Sequence, residues 1–382
     1  MPSLSPRPLQ FHGKAMEFFR IWAVNLVLTL LTLGIYSAWA KVRTQKYLYR
    51  NLELDGHRFD YTAEPMQILK GRLVAVALFG ALSVMQNLSQ DLAAWATLAF
   101  MLLMPAIIVM SLSFRLRNTR YRGVAFGFER DFKSAYMIFG LPILLAALYL
   151  AVLVFLGPQS VAERGETQVD PSQVMIFGLS VLVIMLLVAL GAPGWDWWLR
   201  KFISEHARFG TTPFDFNARL RDYYGLYGKV SLIAILLFAG LFLFLNGAGR
   251  LSADMSDPQA FMKKMAILTA LPGLLAWGWA WARLNTGRIN LSLNGLSLNG
   301  HQVRSRVTTG MMMWLYLSNT AAILLSLGLL IPWAKIRVLR YRASVTGLLA
   351  HSPLDQFVAE QEEQVNALGE EMGDVFDVEV GL

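Results

Sequence analysis

The chain has 382 residues, of which 55% are hydrophobic and only 16% charged, whereas a soluble domain of this size carries about 25% charge. It contains no cysteine, which excludes disulfides, thiol catalysis, iron–sulfur clusters and thiolate zinc sites. The formal net charge of +8 comes without a nucleic-acid-binding motif, so it indicates basic loops beside a membrane.

Asp, Glu, Lys and Arg are absent from eight long apolar blocks and concentrated between them. Each block is about as long as the roughly 20 residues that a helix needs to cross the hydrocarbon core of a bilayer. The pattern predicts an all-α polytopic membrane protein with six to eight transmembrane helices, internal repeats and small cytoplasmic β-hairpins. The blocks are residues 21–40, 73–90, 92–114, 134–157, 171–195, 230–249, 265–282 and 307–334.

The end of the chain has a different composition. We assign residues 1–350 to a membrane domain and residues 351–382 to an acidic C-terminal tail. From Ser352 onward the tail contains nine acidic residues and no Lys or Arg. Two alternatives stay open for it, a solvated tail and a tail that docks on the basic loops.

The first and last blocks match each other in sequence. Asn25 and Asn319 precede a Leu-Gly pair at the same offset, and a Trp-Ala-Lys-aliphatic-Arg string follows that pair at the same spacing. We therefore expect an internal duplication, in which both blocks form the same broken helix and lie near each other about a pseudo-two-fold axis. The strings are Leu33-Gly34 with Trp39-Ala40-Lys41-Val42-Arg43, and Leu327-Gly328 with Trp333-Ala334-Lys335-Ile336-Arg337.

Short alternating aromatic stretches lie between the blocks and predict β-hairpins against one membrane face. Residues 52–61 contain Asp55-Gly56, a preferred pair for the type I′ hairpin turn. Residues 289–303 contain Asn294-Gly295 and Asn299-Gly300, which we also interpret as turns. Further stretches are Phe126-Gly127-Phe128 and Phe214-Asp215-Phe216.

The distribution of basic residues predicts the orientation. If the second to seventh blocks all cross, the loops on the side of residues 41–72 hold 23 Lys and Arg, and the opposite loops hold 4. The first side is then cytoplasmic by the positive-inside rule. The first and last blocks either cross, with both termini in the periplasm, or re-enter and return to the cytoplasmic face. Their helix-breaking glycines favour re-entry, so we predict a multi-pass inner-membrane protein with cytoplasmic termini.

Several motifs resemble those of the YjgN-like family of bacterial inner-membrane proteins, over roughly residues 9–350. They are Phe11-His12-Gly13, Thr32-Leu33-Gly34-Ile35-Tyr36, Trp39-Ala40-Lys41-Val42-Arg43 and Gly56-x-x-Phe59-x-Tyr61. One departure is Ser37-Ala38, where that family often has a proline before the Trp. The resemblance implies an inner-membrane location and a polytopic architecture. It implies no reaction, because the shared domain has no assigned function.

No catalytic, cofactor-binding or metal-binding constellation is visible, so we expect a protein that is not an enzyme. The five histidines show no metal-ligand spacing, and no phosphate-binding loop or nucleophile elbow occurs. Polar residues at membrane depth are the remaining candidates, namely Asn25, Asn319 and Asp196. Asp196 lies in a Trp-rich segment, where it either carries a proton or cation or simply pairs with Arg200 at i+4.

The expected partners are membrane lipids, with anionic headgroups as a candidate and no nucleic acid; a protein partner stays open. Candidate headgroup contacts are the Trp and basic residues of the duplicated strings: Trp39, Lys41, Arg43, Trp333, Lys335 and Arg337. Duplicated broken helices favour transport or lipid handling, by analogy at the level of fold. The alternative is a non-catalytic scaffold or regulatory protein that acts through its cytoplasmic hairpins.

Overall fold

A computed structural model describes residues 6–157, 171–251 and 258–379. The chain forms two compact units, which are described separately here. Unit 1 consists of Met1–Trp22, Asn51–Gly56 and Asn217–His351. Unit 2 consists of Ala23–Arg50, His57–Phe216 and Ser352–Leu382.

Helices make up 73% of the protein, and neighbours in sequence contact each other in pairs. Helices α3 and α4, α5 and α6, and α7 and α8 form three such pairs. The bounds are α1 Ala15–Leu31, α2 Ser37–Arg50, α3 Pro65–Leu88, α4 Gln90–Arg117, α5 Phe132–Leu156, α6 Pro171–Glu205, α7 Leu220–Leu251, α8 Pro258–Asn294, α9 Thr309–Leu325, α10 Ile331–Ser344 and α11 Leu354–Glu379.

Among the described residues, five helices are long and apolar enough to cross a membrane. They are Pro65–Met85, Trp95–Arg117, Phe132–Leu156, Pro171–Glu205 and Leu220–Phe244; Thr309–Leu325 is apolar but shorter. Their surfaces carry large apolar side chains, such as Leu144 with 66% and Leu182 with 61% of its surface exposed. Apolar surface of this extent requires lipid instead of water around it. A polytopic helical membrane protein is therefore confirmed, and five of the six to eight expected spans are found among the described residues.

Five antiparallel strands form the sheet of unit 1 in the spatial order β2-β1-β11-β10-β9. Residues far apart in sequence meet here, since Pro8 lies opposite Gly347. A Cβ on Gly347 would lie 2.7 Å from the carbonyl oxygen of Arg7, so only glycine fits. The strands are β1 Pro6–Phe11, β2 Leu52–Leu54, β9 Leu296–Leu298, β10 His301–Ser305 and β11 Thr346–Leu349.

In unit 2 the antiparallel order is β7-β6-β5-β4-β3. The aromatic residues of neighbouring strands pack against each other with tilted rings: the ring centroids of Phe59 and Tyr121 are 4.8 Å apart, and those of Phe126 and Phe209 are 5.1 Å apart. The strands are β3 His57–Tyr61, β4 Thr119–Tyr121, β5 Val124–Phe128, β6 Ala207–Phe209 and β7 Thr212–Pro213; unit 2 also contains the short strand β8 Asp215–Phe216.

The all-α class is thus wrong in part, because the predicted β-segments pair with one another into sheets. The turns at Asp55-Gly56 and Asn299-Gly300 are confirmed, with positive φ at all four residues. The predicted turn at residues 294–295 is wrong, since Asn294 is the last residue of α8. Its side chain accepts from the backbone N–H of Ser305 (2.6 Å) and donates to the Ser305 carbonyl (3.1 Å), so it ties the helix end to a strand.

The acidic tail begins as a helix that is buried at its start. In unit 2 the ring of Phe357 lies 6.0 Å from that of Phe209, and Asp355 forms an ion pair with Arg122. Gln361, with 3% of its surface exposed, accepts hydrogen bonds from the backbone N–H groups of Thr211 and Thr212. The first turns of α11 therefore belong to the folded unit, while the assignment of residues 1–350 and 351–382 to separate domains stays a prediction.

Candidate functional site

Residues 15–50, the N-terminal hairpin, and residues 309–344, the C-terminal hairpin, have the same helix bounds when shifted by 294 positions. Leu33 and Leu327 both have φ 50, and Gly34 and Gly328 both have φ 93. The N–H of each glycine donates to the carbonyl five residues earlier, at 2.8 Å. This is the 6→1 hydrogen bond of the Schellman motif, which ends many helices. The expectation that both blocks form the same broken helix is confirmed.

A buried asparagine joins the two helices of each hairpin. Asn25 Nδ2 donates to the carbonyl of Ala40 (3.3 Å), and Asn319 Nδ2 donates to the carbonyl of Ala334 (3.4 Å). The asparagines are 5% and 6% exposed. Because each bond links positions on either side of the break, the second helix returns beside the first. The chain therefore enters and leaves each hairpin at the same end.

The closed ends of the hairpins, called the tips here, are apolar and exposed. Leu33 and Leu327, at the positive-φ positions, are 94% and 95% exposed. A non-glycine residue in this conformation already costs about 1–2 kcal/mol, and exposure of leucine to water would add to that cost. Lipid around the tips removes the second cost. Further exposed residues there are Leu30, Leu31, Ile35, Leu324, Leu325 and Leu329.

In the C-terminal hairpin an arginine binds the buried asparagine. Arg337 Nη1 donates to Ser318 Oγ (2.6 Å) and to Asn319 Oδ1 (3.1 Å). The guanidinium carbon lies 5.1 Å from the centroid of the Trp333 ring, within the range of a cation–π interaction. These contacts use Nη1 alone, and among the described residues Nε and Nη2 donate to no acceptor, so both can donate to an anion.

Arg337 borders a groove of about 440 Å³ in unit 1. Its walls combine apolar side chains from α9 and α10 with arginine, tyrosine and serine groups, a combination that suits an amphiphile. Arg340 Nη2 donates to the carbonyl of Gly13 (3.0 Å), and the Tyr341 hydroxyl accepts from the N–H of Thr308 (2.9 Å). The lining residues are Ala15, Met311, Leu315, Trp333, Ile336, Arg337, Arg340, Tyr341 and Ser344.

The N-terminal hairpin has the same asparagine but a different arginine. Asn25 Nδ2 reaches Thr44 Oγ1 (3.4 Å) besides the Ala40 carbonyl. Its Oδ1 atom is buried and has no hydrogen-bond partner among the described residues. Arg43, the counterpart of Arg337, is exposed and makes no hydrogen bond or ion pair within the described part of the chain.

The other residues of the duplicated strings have separate surroundings. In unit 2, Trp39 packs against buried Ala38, Val42 and Ile68. Lys41 is exposed, and so is Lys335 of unit 1, whose Nζ lies 5.5 Å from the centroid of the Phe18 ring. Of the candidate headgroup residues, only Trp333 and Arg337 of the C-terminal hairpin contact each other in the described part of the chain. A single basic cluster formed by both hairpins, and their pseudo-two-fold packing, stay predictions.

Asp196 lies in α6 of unit 2 and is 1% exposed. Its Oδ1 atom is 3.4 Å from Nε of Arg200, so the anticipated i,i+4 pair is present. The neighbouring Trp195 donates from Nε1 to the carbonyl of Ile138 (2.9 Å) and packs against the α4–α5–α6 core. A role for Asp196 in binding a proton or cation stays a prediction.

Trp333 and Arg337 were candidates from the sequence, whereas the groove residues Arg340, Tyr341 and Ser344 were not. A signal for them was present, because positions 333, 337, 340 or 341, and 344 follow at intervals of three and four residues along one face of α10. The match between the two duplicated strings ends at residue 337 and does not reach them. The apolar side chains that face them come from α9, and only the fold shows that they line the same groove.

Two histidines of unit 1, His301 and His351, contact each other. His301 is 1% exposed, and its Nδ1 accepts a hydrogen bond from the backbone N–H of His351 (3.1 Å). Burial lowers the pKa of His301, and the charge of His351 lowers it further, so the ring is neutral near neutral pH. Within the described ranges, no three His, Asp or Glu side chains come together in a way that could hold a metal ion.

Comparison with known proteins identifies relatives. The model of a family described as a bacterial protein of unknown function (DUF898) matches residues 6–375. A relative from Escherichia coli O157:H7, named inner membrane protein YjgN, is 25% identical over 357 residues, 89% of this chain and 87% of that protein. The protein of the same name from Salmonella typhimurium is 26% identical over 361 residues, 88% and 87% of the two chains. No solved structure matches this chain. The resemblance to the YjgN-like family is confirmed.

Proposed function

Since this chain belongs to the DUF898 family of bacterial proteins of unknown function, we propose that it is a multi-pass inner-membrane protein that handles anionic phospholipids. The ligand class is a lipid with a phosphate headgroup, which binds at the C-terminal hairpin. Lipid handling of this kind makes and breaks no covalent bond, so the proposed function is not enzymatic.

One observation carries the proposal: Arg337 borders an apolar groove, and two of its guanidinium nitrogens donate to no described residue. A phosphate oxygen pair matches the planar donors of arginine, and acyl carbons match the leucine, isoleucine and methionine side chains of the groove. Trp333 beside Arg337 is the residue type that accumulates at the level of the headgroups. Anionic lipid is therefore a better fit than a soluble anion.

The hairpin geometry supports a re-entrant arrangement for the first and last blocks. In this arrangement α1–α2 and α9–α10 dip into the bilayer with their leucine tips, and three helix pairs, α3–α4, α5–α6 and α7–α8, cross it. The strands and the basic loops then lie together on the cytoplasmic side with both termini.

Cysteine labelling tests this orientation, because the chain has no cysteine of its own. In intact cells, a cysteine at Ser352 should resist an impermeant thiol reagent, whereas a cysteine at Ser160, in the stretch 158–170 outside the described residues, should react. Reaction of both variants from outside would restore simple crossing of the first and last blocks.

Lipid binding to purified protein tests the function. We expect native mass spectrometry in a neutral detergent to detect bound phosphatidylglycerol, and R337Q to weaken this binding about tenfold or more, since a charge-assisted hydrogen bond contributes about 1.5–3 kcal/mol. R342Q is the matched control, because Arg342 is exposed on the same helix and does not line the groove. Equal binding by R337Q and R342Q, or no lipid bound to the wild type, would contradict the proposal.

A scaffold function is the second candidate, and the paired strands favour it. In this arrangement the sheet of unit 2 offers strand edges and aromatic side chains to a partner protein on the cytoplasmic side. A variant that loses lipid binding but keeps its cellular function would favour the scaffold over lipid handling.

A further inference from the structure

The two hairpins hold the same arginine in two different states. Arg337 is bound internally, to Asn319 Oδ1 and Ser318 Oγ. Its counterpart Arg43 is turned outward, and Asn25 Oδ1 is left without a hydrogen-bond partner among the described residues. Asn25 is only 5% exposed, so its amide oxygen lies away from bulk water.

Two sequence differences between the hairpins, both beside the arginine, explain why Arg43 does not bind the asparagine. Val24 occupies the position of Ser318, so Arg43 lacks the hydroxyl that is the shorter of the two acceptors of Arg337. Thr44 occupies the position of Val338 and accepts from Asn25 Nδ2, so this asparagine is fixed without the arginine. An inward Arg43 would therefore gain one hydrogen bond instead of two.

An unpaired buried amide oxygen still favours the return of a donor. Arg337 demonstrates that an arginine at this position reaches the Oδ1 atom of the asparagine when both hairpins share the same backbone. The outward state of Arg43 consequently has a cost, and a competing acceptor outside must offset it. The phosphate of an anionic lipid is such an acceptor at the membrane surface, because it takes a bidentate guanidinium.

We infer that Arg43 binds the phosphate of a second phospholipid, and that Asn25 Oδ1 is the internal acceptor that replaces this phosphate when the lipid leaves. The inference extends the proposed function, since it assumes that the hairpins bind lipid. It assigns different tasks to the two sites. The C-terminal hairpin, with its arginine fixed, retains lipid, whereas the N-terminal hairpin exchanges lipid by alternation of Arg43 between two acceptors.

Substitutions beside Arg43 should change the balance between its inward and outward states while the arginine itself is kept. V24S supplies the hydroxyl that Ser318 supplies in the other hairpin, so it favours the inward state. Val24 is 44% exposed, so serine is tolerated there. N25D strengthens the internal acceptor through its charge and acts in the same direction, but it removes the Nδ2 donor to the Ala40 carbonyl, so it is compared only where its thermal stability is unchanged. Each variant should weaken phosphatidylglycerol binding at the N-terminal hairpin about five- to tenfold.

The test measures phosphatidylglycerol bound to the purified full-length protein in an R337Q background, where only the N-terminal site is counted. We expect R337Q to keep one exchangeable lipid, R337Q/R43Q to lose it, and R337Q/V24S and R337Q/N25D to bind it more weakly. Glycerol phosphate at the same concentration should not displace the lipid, because it lacks acyl chains; displacement would indicate a soluble phosphate ligand and overturn the lipid assignment.

The outcomes separate this inference from the proposed function. If R337Q alone abolishes all binding, the C-terminal site stands and the inference about Arg43 is wrong. If R43Q removes the lipid but V24S and N25D, with unchanged thermal stability, bind it as tightly as the parent, the second site stands and the alternation with Asn25 is wrong. If the wild type binds no phosphatidylglycerol, both proposals fail.

Discussion

The two broken-helix hairpins share a backbone and differ in their charge chemistry. Helices of 17 and 14 residues, the positive-φ Leu-Gly pair and the bond from asparagine to an alanine carbonyl occur in both. Only in the C-terminal hairpin does the arginine bind the asparagine. The break and the asparagine are therefore sufficient for the shape, and the position of the arginine is decided separately.

One or two side chains beside the shared backbone determine whether the arginine binds the asparagine. Ser318 supplies a second acceptor to Arg337, and Val24 supplies none to Arg43. A duplicated element can thus keep its fold while one copy binds its cation internally and the other presents it at the surface. The predictions below test whether the copies differ only in this respect.

The largest expected difference concerns the arginines themselves. R337A should lower the free energy of unfolding by about 2–3 kcal/mol, because it leaves the buried Asn319 Oδ1 without its donor and removes the contact with Trp333. R43A should lower it by less than about 1.5 kcal/mol, since Arg43 is exposed and, without lipid, has only Asn25 Oδ1 as an internal acceptor among the described residues. Chemical denaturation in lipid-free detergent measures both values. A loss in R43A as large as that in R337A would mean that Arg43 is bound as firmly as Arg337, and the comparison would fail.

Much of this comparison was accessible from the sequence. The spacing of Asn, Gly and Trp in the two blocks predicted the shared broken helix, because each of those residue types has a local physical role: a buried hydrogen bond, a positive φ and an interface contact. The hairpin turns at residues 55–56 and 299–300 were predictable for the same reason. Local geometry is encoded by the residues that adopt it.

Long-range features were not accessible in this way. Nothing in residues 124–128 specifies pairing with residues 207–209, since an alternating aromatic strand is compatible with many partners. Asn294-Gly295 resembled a turn, but the contacts of α8 with the strand after it extend the helix through Asn294. The groove of the C-terminal hairpin combines Ala15 with residues 311–344, and only the fold brings them together. The difference between Arg337 and Arg43 could likewise be recognised only from the positions of their side chains.

A smaller effect is expected at the shared feature of the hairpins, their left-handed break. Gly34 and Gly328 both have φ 93, a conformation that residues with a Cβ rarely adopt. G34A and G328A should each lower the free energy of unfolding by about 1–2 kcal/mol, and by the same amount within about 0.5 kcal/mol. Space does not separate the two sites, because a Cβ at Gly34 meets nothing within 4 Å and one at Gly328 meets only Ile331 Cδ1 at 3.7 Å. G71A is the matched control: Gly71 lies within α3 without a positive φ and with nothing near a new Cβ, so alanine should be neutral or stabilise by up to about 1 kcal/mol. A loss at one break that exceeds the other by more than about 1 kcal/mol would show that the hairpins differ in backbone constraint as well as in charge.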